Sequence, residues 1–407
     1  MNSAASSPLS GASRSFARSL ARAAAFGLAM IVAAPAMAGP ASVEPEESTL
    51  TTLPSPKPSW VFLQRGVALP GTTVFDTSTG KYVAQIETPI LGDLAIDPAG
   101  KHYYVAETVW TRRLHGTRQN FISVYDAHTL TLEGDIDIPG RILVGNRERD
   151  FVVSDDGKTA YVYDFSPISS INVIDLVKRK FVKNVELPGC ADLIPNQGVG
   201  VVSLCSDGSL ASVNLTGDKA DITRTDPFFN ATGDPVFDDV QFDRTKAEAV
   251  MLSYSGLVYT AKLGAKPVVS APFSIQEAAG LRKGETRPLD LNWYPTGHQP
   301  SALHRASGHL YVLMHAGEFW SHKDNATEIW DIDLAARKVV KRIAVDGGPN
   351  VINVTQEPEP KLVVLSDGDG GNTGYALPGT AQVIDPATWT VKFNLRDSGS
   401  GLIQVMQ

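Results

Sequence analysis

Cysteine is scarce in this 407-residue chain: only Cys190 and Cys205 occur, too few for a disulfide-stapled scaffold. There is no C-x-x-C-H haem attachment, no G-x-S-x-G elbow, no P-loop and no H-E-x-x-H zinc helix, so the chain shows little sign of doing covalent chemistry alone. Basic residues are outnumbered, 36 Lys and Arg against 44 Asp and Glu. That balance argues against nucleic acid or an anionic membrane as partner, because both need basic patches. The run AAAFGLAMIVAA near the N-terminus is too short to be favoured as a membrane span.

That run has another reading. Arg14, Arg18 and Arg22 precede it without any acidic residue, and Ala36-Met37-Ala38 follows as a small-residue cleavage site before Gly39. Residues 1–38 therefore read as a secretory signal peptide, without a twin-arginine pair, and the expected compartment is the bacterial periplasm. Its removal leaves 33 basic against 44 acidic residues, a formal charge of −11 over 39–407. The stretch 39–59 is rich in Pro and Ser with little apolar content and is expected to be a flexible lead-in, with order beginning near Trp60.

From residue 60 onward the chain restates one unit: a strand ending in two apolar residues, an acidic or amide residue, a turn and a second strand. It appears as VFDTSTGKYV, VYDAHTLTLE, VIDLVKRKFV, VNLTGDKADI, DIDLAARKVV and VIDPATWTVK, with a degraded copy at VYTAKLGAKP. The marker positions Asp76, Asp126, Asp175, Asn214, Lys262, Asp333 and Asp385 are separated by 50, 49, 39, 48, 71 and 52 residues. Seven copies near a fifty-residue period predict an all-β, seven-bladed β-propeller over 60–407, since a lone four-stranded blade cannot bury both its faces. A second repeat, IDPAGKHYYV, VSDDGKTAYV and LHRASGHLYV, with a weaker copy at VTQEPEPKLVVL, predicts the hairpin just upstream of the first unit. The surplus in the longest interval falls in IQEAAGLRKGETRPLDLNWYPTGH, read as an excursion between the fifth and sixth blades, helix-compatible to about Glu285. Cys190 and Cys205 flank a turn between two strands of one blade. In an exported protein that geometry favours a disulfide over two buried thiols.

Three clusters are candidates for function on the rims. LYVLMHAGEFWSHKDNATEIWDID places His315, Glu318, His322, Lys323, Asp324 and Glu328 on a connection between strands; the His spacing fits no zinc pattern, so an interface or a hydrogen-bonded loop is preferred to a metal. SDGDGGNTG looks like the start of a calcium loop but lacks the closing Glu, which leaves a hairpin tip as the better reading. ETVWTRRLHGTRQNF sets Trp110, Arg112, Arg113, His115 and Arg118 on a long basic connection of an acidic protein. Trp and Arg there suit anchors of a protein interface, against the plain alternative of a solvated loop.

At these loops the sequence resembles the heavy (large) subunit of the quinoprotein amine dehydrogenases, the family of methylamine and aromatic amine dehydrogenases. The matching stretches include ETVWTRRLHGTRQNFISVYDAHTLT, GCADLIPNQGVGVVSLCSDGSLASVNL, NWYPTGHQPSALHRASGHLYVLMH and EFWSHKDNATEIWDIDLAARK, in order from about residue 72 to the C-terminus. The resemblance implies a propeller that pairs with a small, disulfide-rich chain as two large plus two small subunits. The small chain carries tryptophan tryptophylquinone and the catalytic base, so no catalytic residue, cofactor or metal is expected in this one. The implied reaction is oxidative deamination of a primary amine to aldehyde and ammonia, with electrons passed to a blue copper protein or a c-type cytochrome. Trp110, Arg112, Arg113, Arg118, His322 and Lys323 are then the expected small-subunit contacts. Ile90, with Leu91 beside it, falls where the family has a phenylalanine at the substrate channel. Two other readings remain open: an exported propeller that binds partners without a quinone chain, and a self-sufficient propeller enzyme.

Overall fold

A computed structural model of the chain describes residues 52–65, 70–89, 92–112, 115–142, 145, 147–217, 219–366, 379–399 and 401–406. Seven antiparallel sheets of four or five strands follow one another along the chain, as the repeat predicts. In every blade the predicted marker is the last residue of the third strand: Thr72–Asp76, His115–Asp126, Ser170–Asp175, Leu210–Asn214, Leu257–Lys262, Glu328–Asp333 and Gly379–Asp385. The reason for an acid or amide there is local. The side chain accepts backbone N–H groups of the turn that follows, Ser78 on Asp76, His128 and Thr129 on Asp126, Lys178 on Asp175, Thr216 on Asn214. Lys262 has no acceptor to offer, which is why the fifth copy looks degraded in sequence.

The turn has a second constant feature. Four residues after the marker the backbone enters the left-handed region, at Gly80 (φ 69°), Leu130 (φ 56°), Arg179 (φ 50°), Arg337 (φ 51°) and Trp389 (φ 60°). Of these five blades only the first uses glycine there, and the fifth blade's turn instead places Gly264 at φ 133°, so the feature carried no compositional signal.

The apolar core is divided into seven clusters, each shared by two neighbouring blades. One joins Tyr104 and Ile122 of the second blade to Phe151 and Val162 of the third; another joins Val61 and Leu63 of the first to Val363 and Leu365 of the seventh. Middle strands are buried on both faces, whereas outer strands such as Lys180–Glu186 alternate exposed and buried positions. The ring closes through the first blade, whose innermost strand is Ile403–Val405 from the C-terminus, paired with Trp60–Gln64. That closure pairs residues far apart in the chain and has no local sequence signature.

Two details differ from expectation. The excursion after the fifth blade forms one helical turn, Ile275–Ala278, capped by Ser274 and ended by Gly280 at φ 74°, and then runs irregularly to the strand Asn292–Pro295. The chain is also held before Trp60, because Leu53 N–H donates to the His128 carbonyl at 2.7 Å. No helix among the described residues is long and apolar enough to cross a membrane.

Candidate functional site on one face

Antiparallel strands put the connections between second and third strands, and those from one blade to the next, on a single face. Three of the sequence-predicted elements therefore lie on the same face. The second-blade connection bearing Trp110, the sixth-blade connection bearing His322, and the inter-blade connection containing Pro89 all open on this face. Ile90, Leu91 and Arg113, and the acidic stretch after Ser366, lie outside the described residues.

The Trp110 segment is a projecting β-hairpin rather than a loop. His102–Arg112 pairs with His115–Asp126, the two longest strands among the described residues, with Trp110 opposite Arg118 and Arg112 opposite His115. Arg118 is used internally: Nη2 donates to the Ile142 carbonyl at 2.7 Å and to Thr108 Oγ1 at 3.2 Å, and Nε donates to Asn120 Oδ1 at 2.9 Å. Burial, and then nearby Arg141, depress its pKa. Its guanidinium carbon sits 5.7 Å from the centroid of Trp110, so the hairpin is stiffened by a cation–π contact and clamped to the third blade. Thr111 and Arg112 are left exposed at the tip.

On the sixth blade His315 and Glu328 belong to strands, not to the connection. His315 is buried and faces Ser321 Oγ at 3.1 Å. His322 packs on Tyr254 of the fifth blade with centroids 4.0 Å apart, and its carbonyl accepts from Gly297 N–H at 3.0 Å. Burial first, then Lys323, push its pKa down, so the ring is neutral at neutral pH. Trp320, 53% exposed, stands beside this stack, with Lys323 exposed next to it. Leu289 and Leu291 add further exposed apolar surface on the excursion. Trp320 and Tyr254 went unnoticed in the sequence because the stack joins two blades. Among the described residues no three of His, Cys, Asp and Glu are placed to hold a metal ion.

Cys190 and Cys205 are directly opposed across the first two strands of the fourth blade and form a disulfide at the same face, with Cα atoms 4.0 Å apart. At the centre of the face lies a constellation that sequence reasoning missed. Asp93, Asp150, Asp192, Asp239 and Asn350 each stand immediately before a buried apolar residue at an inner strand: Leu94, Phe151, Leu193, Val240 and Val351. This acid-or-amide and apolar dyad, recurring in five blades, was a readable signal. A cavity of about 30 Å³ at the axis is lined by Arg147, Asp192, Asp239, His298, Gln299 and Leu402, from five different blades, together with neighbours on the same loops. Asp239 accepts from Ser301 N–H and Oγ, each at 3.0 Å, and from Gln241 Nε2 at 2.8 Å. Arg147 pairs with Asp238, and Arg149 Nη2 lies 3.5 Å from Glu148. Burial, reinforced by Asp93, pushes Asp150 up to about 8; burial and the carboxylates of Asp238 and Asp150 raise Asp192 well above the carboxylate range.

Fold and face together define a seven-bladed propeller that presents exposed aromatic and basic side chains on the face whose centre holds the axial carboxylates. Its sequence matches the methylamine dehydrogenase heavy chain family over residues 67–378. It is 28% identical to the methylamine dehydrogenase heavy chain of Methylobacillus flagellatus over 72% of this chain and 73% of that one, and 28% identical to the heavy chain of Paracoccus versutus over 80% and 76%. Among solved structures, the periplasmic gluconolactonase of Pseudomonas aeruginosa superposes with a TM-score of 0.52 at 15% identity, covering 85% of this chain and 98% of the other, a likeness of fold alone. The chain belongs to the methylamine dehydrogenase heavy chain family.

Proposed function

We propose that this chain is the large, non-quinone subunit of a periplasmic amine dehydrogenase, exported with cleavage after Ala38. The family match across most of the propeller carries the reading. In it, a small subunit bearing tryptophan tryptophylquinone docks on the face that carries the Trp110 hairpin and the His322 connection, in an assembly of two large and two small chains. The small chain performs the oxidative deamination of a primary amine to aldehyde and ammonia and passes electrons to a blue copper protein or a c-type cytochrome. The large chain supplies a docking platform and part of the substrate channel. Exposed Trp, Arg and Lys beside apolar side chains suit such a platform, because aromatic and Arg anchors contribute most where they become fully desolvated. Arg112, Arg113 and Lys323 are assigned as polar contacts; Trp110 and His322 are assigned as contacts that the propeller itself preorganises, with Arg118 bracing the first. Ile90 and Leu91 border the channel, where an aliphatic side chain keeps the wall apolar but changes its width.

The test is purification of the chain from its native host grown on primary amines. A co-eluting small, disulfide-rich chain with a visible quinone band that bleaches on adding amine is expected, and replacement of Trp110 and Arg112 together by Ala should release that chain while the propeller still unfolds at the same temperature. A colourless single chain would leave the binding-module reading in its place. Within the assembled enzyme, Ile90→Phe should shift the ratios of kcat/KM among primary amines; unchanged ratios would remove Ile90 from the channel.

A further inference from the structure

The ring closes on very little backbone pairing. The closing strand Ile403–Val405 meets Trp60–Gln64 at three positions, Val61 with Val405, Phe62 with Gln404 and Leu63 with Ile403. A strand so short and so near the chain end would ordinarily fray. It is also the innermost strand of its sheet, so one edge carries backbone groups with no ladder partner. Ile403 is nevertheless buried, and side chains satisfy both of its free backbone groups. Its N–H donates to Gln299 Oε1 at 3.0 Å, and its carbonyl accepts from Gln299 Nε2 at 3.0 Å and from Asn353 Nδ2 at 2.7 Å. One carboxamide thus exchanges with one residue the two hydrogen bonds that a neighbouring strand would have made. Gln299 itself is buried between the sixth-blade strands Asn292–Pro295 and Ser301–His304. Its backbone is tied to the seventh blade, donating to the Asn350 carbonyl at 3.3 Å and accepting from Ile352 N–H at 2.9 Å, so its side chain joins the sixth and seventh blades to the first. The closing strand reaches onward as well. Gln404 Nε2 donates to the Leu94 carbonyl and Gln64 Nε2 to the Gly92 carbonyl, each at 3.0 Å, on the second-blade inner strand Gly92–Ile96.

We propose that Gln299 is the latch of the ring: its carboxamide keeps the C-terminal strand docked, and through Gln404 the docked strand holds the inner strand of the second blade. The reason is an asymmetry of hydrogen bonding. While the latch is made, Ile403 is satisfied without water. Once the carboxamide is removed, the Ile403 N–H is left buried without an acceptor, which costs more than the bond itself contributed, so release of the strand into water becomes the favourable way to satisfy it. Asn353 serves only the carbonyl and cannot replace the lost acceptor. Between the fifth and sixth blades Gln241 makes a related bridge, donating to the Ser301 carbonyl at 3.1 Å and accepting from Leu303 N–H at 3.3 Å, but it spreads over two residues of a strand that is continuous with its own blade. Only at the closing strand does the chain end depend on such a contact. Opening at the latch is therefore a local event, confined to Ile403–Val405 and Gly92–Ile96, and the latter strand follows the connection containing Pro89 on the face that bears the Trp110 hairpin.

The test is native-state amide hydrogen exchange of the purified full chain. In the unaltered protein, which needs no variant to fold, the Ile403 amide should exchange as slowly as those of the middle strand Gly200–Cys205, despite its place near the C-terminus. In Gln299→Leu, exchange over 403–405 should quicken by about tenfold to a hundredfold, with a smaller rise over 92–96 and none over 200–205. Gln404→Leu should quicken exchange over 92–96 while Ile403 stays slow, and Asn353→Ser, which removes one bond of the three, should quicken 403–405 less than Gln299→Leu does. Fast exchange of Ile403 in the unaltered chain, unchanged exchange over 403–405 in Gln299→Leu, or an equal rise in every blade would each overturn the latch. A rise over 403–405 with none over 92–96 would overturn its link to the second blade.

Discussion

Aspartate occupies two repeating positions in this propeller, and the two sets behave in opposite ways. Asp126 and Asp175 close turns at the ends of third strands, on the face away from the docking surface. Backbone N–H groups of Thr129 and Lys178 hold their carboxylates below the usual range. Asp150 stands just before an inner strand, and Asp192 lies near the start of the inner strand Cys190–Asn196. There burial comes first, neighbouring carboxylates second, and both pKa values are raised. The same residue type builds the fold where solvent and backbone donors reach it, and destabilises the ionised fold where they do not. Repetition at the rim makes blades, and repetition at the axis concentrates charge from several blades in one place.

The largest expected effect tests the axial set. Asp150 is pushed from 3.8 up to about 8, so its contribution to stability is fully present below 3.8 and is lost as pH rises from there through about 8. Asp150→Asn should flatten that decline and raise stability at the alkaline end by a few kcal/mol, since each tenfold change in proton affinity between folded and unfolded chain corresponds to about 1.4 kcal/mol. Unfolding midpoints from pH 4 upward for both proteins check this, and parallel profiles would show that Asp150 is not the titrating group. Next in size is the disulfide that anchors the strand of Asp192. Closing so short a loop constrains the unfolded chain by about 3 kcal/mol, and Cys190→Ser with Cys205→Ser should lower denaturant stability by about that much without changing the strand content seen by circular dichroism. A loss much smaller than this would mean that the local hairpin holds the bulge unaided.

The smallest effect concerns the rim set. Asp126→Ala removes an acceptor from the N–H groups of His128 and Thr129 at 2.9 and 2.8 Å, and should cost about 1 kcal/mol at neutral pH in this half-exposed turn. Because the Asp126 pKa is depressed, the difference between variant and parent should shrink as pH falls through the carboxylate range, the reverse of the Asp150 profile. A pH-independent difference would assign the loss to turn geometry instead of charge.

Most of the architecture was legible because blades are local objects. Each marker turn needs an acceptor within three residues of its donors, and each hairpin joins strands close in the chain, so period, strand order and even the degraded copy at Lys262 could be read directly. The disulfide was legible for the same reason. The Trp110 segment was recognised as basic and aromatic but not as a hairpin, since Arg118 is positioned by Ile142 on the next blade. His322 was visible as a residue, whereas its partner Tyr254 lies 68 positions earlier and meets it only by blade-to-blade packing.

The sequence by itself determined the seven-bladed period, the acidic turns and, through its likeness to heavy chains, the family. Tertiary structure alone decided ring closure by Ile403–Val405, the stack on which His322 rests and the axial meeting of Asp192 and Asp239. The physical reason is range. Backbone hydrogen bonding and alternation act over a few residues and leave a periodic trace in the chain, but charges contributed by different blades become neighbours only when the ring is complete, and burial then alters their chemistry in a way that no local pattern records.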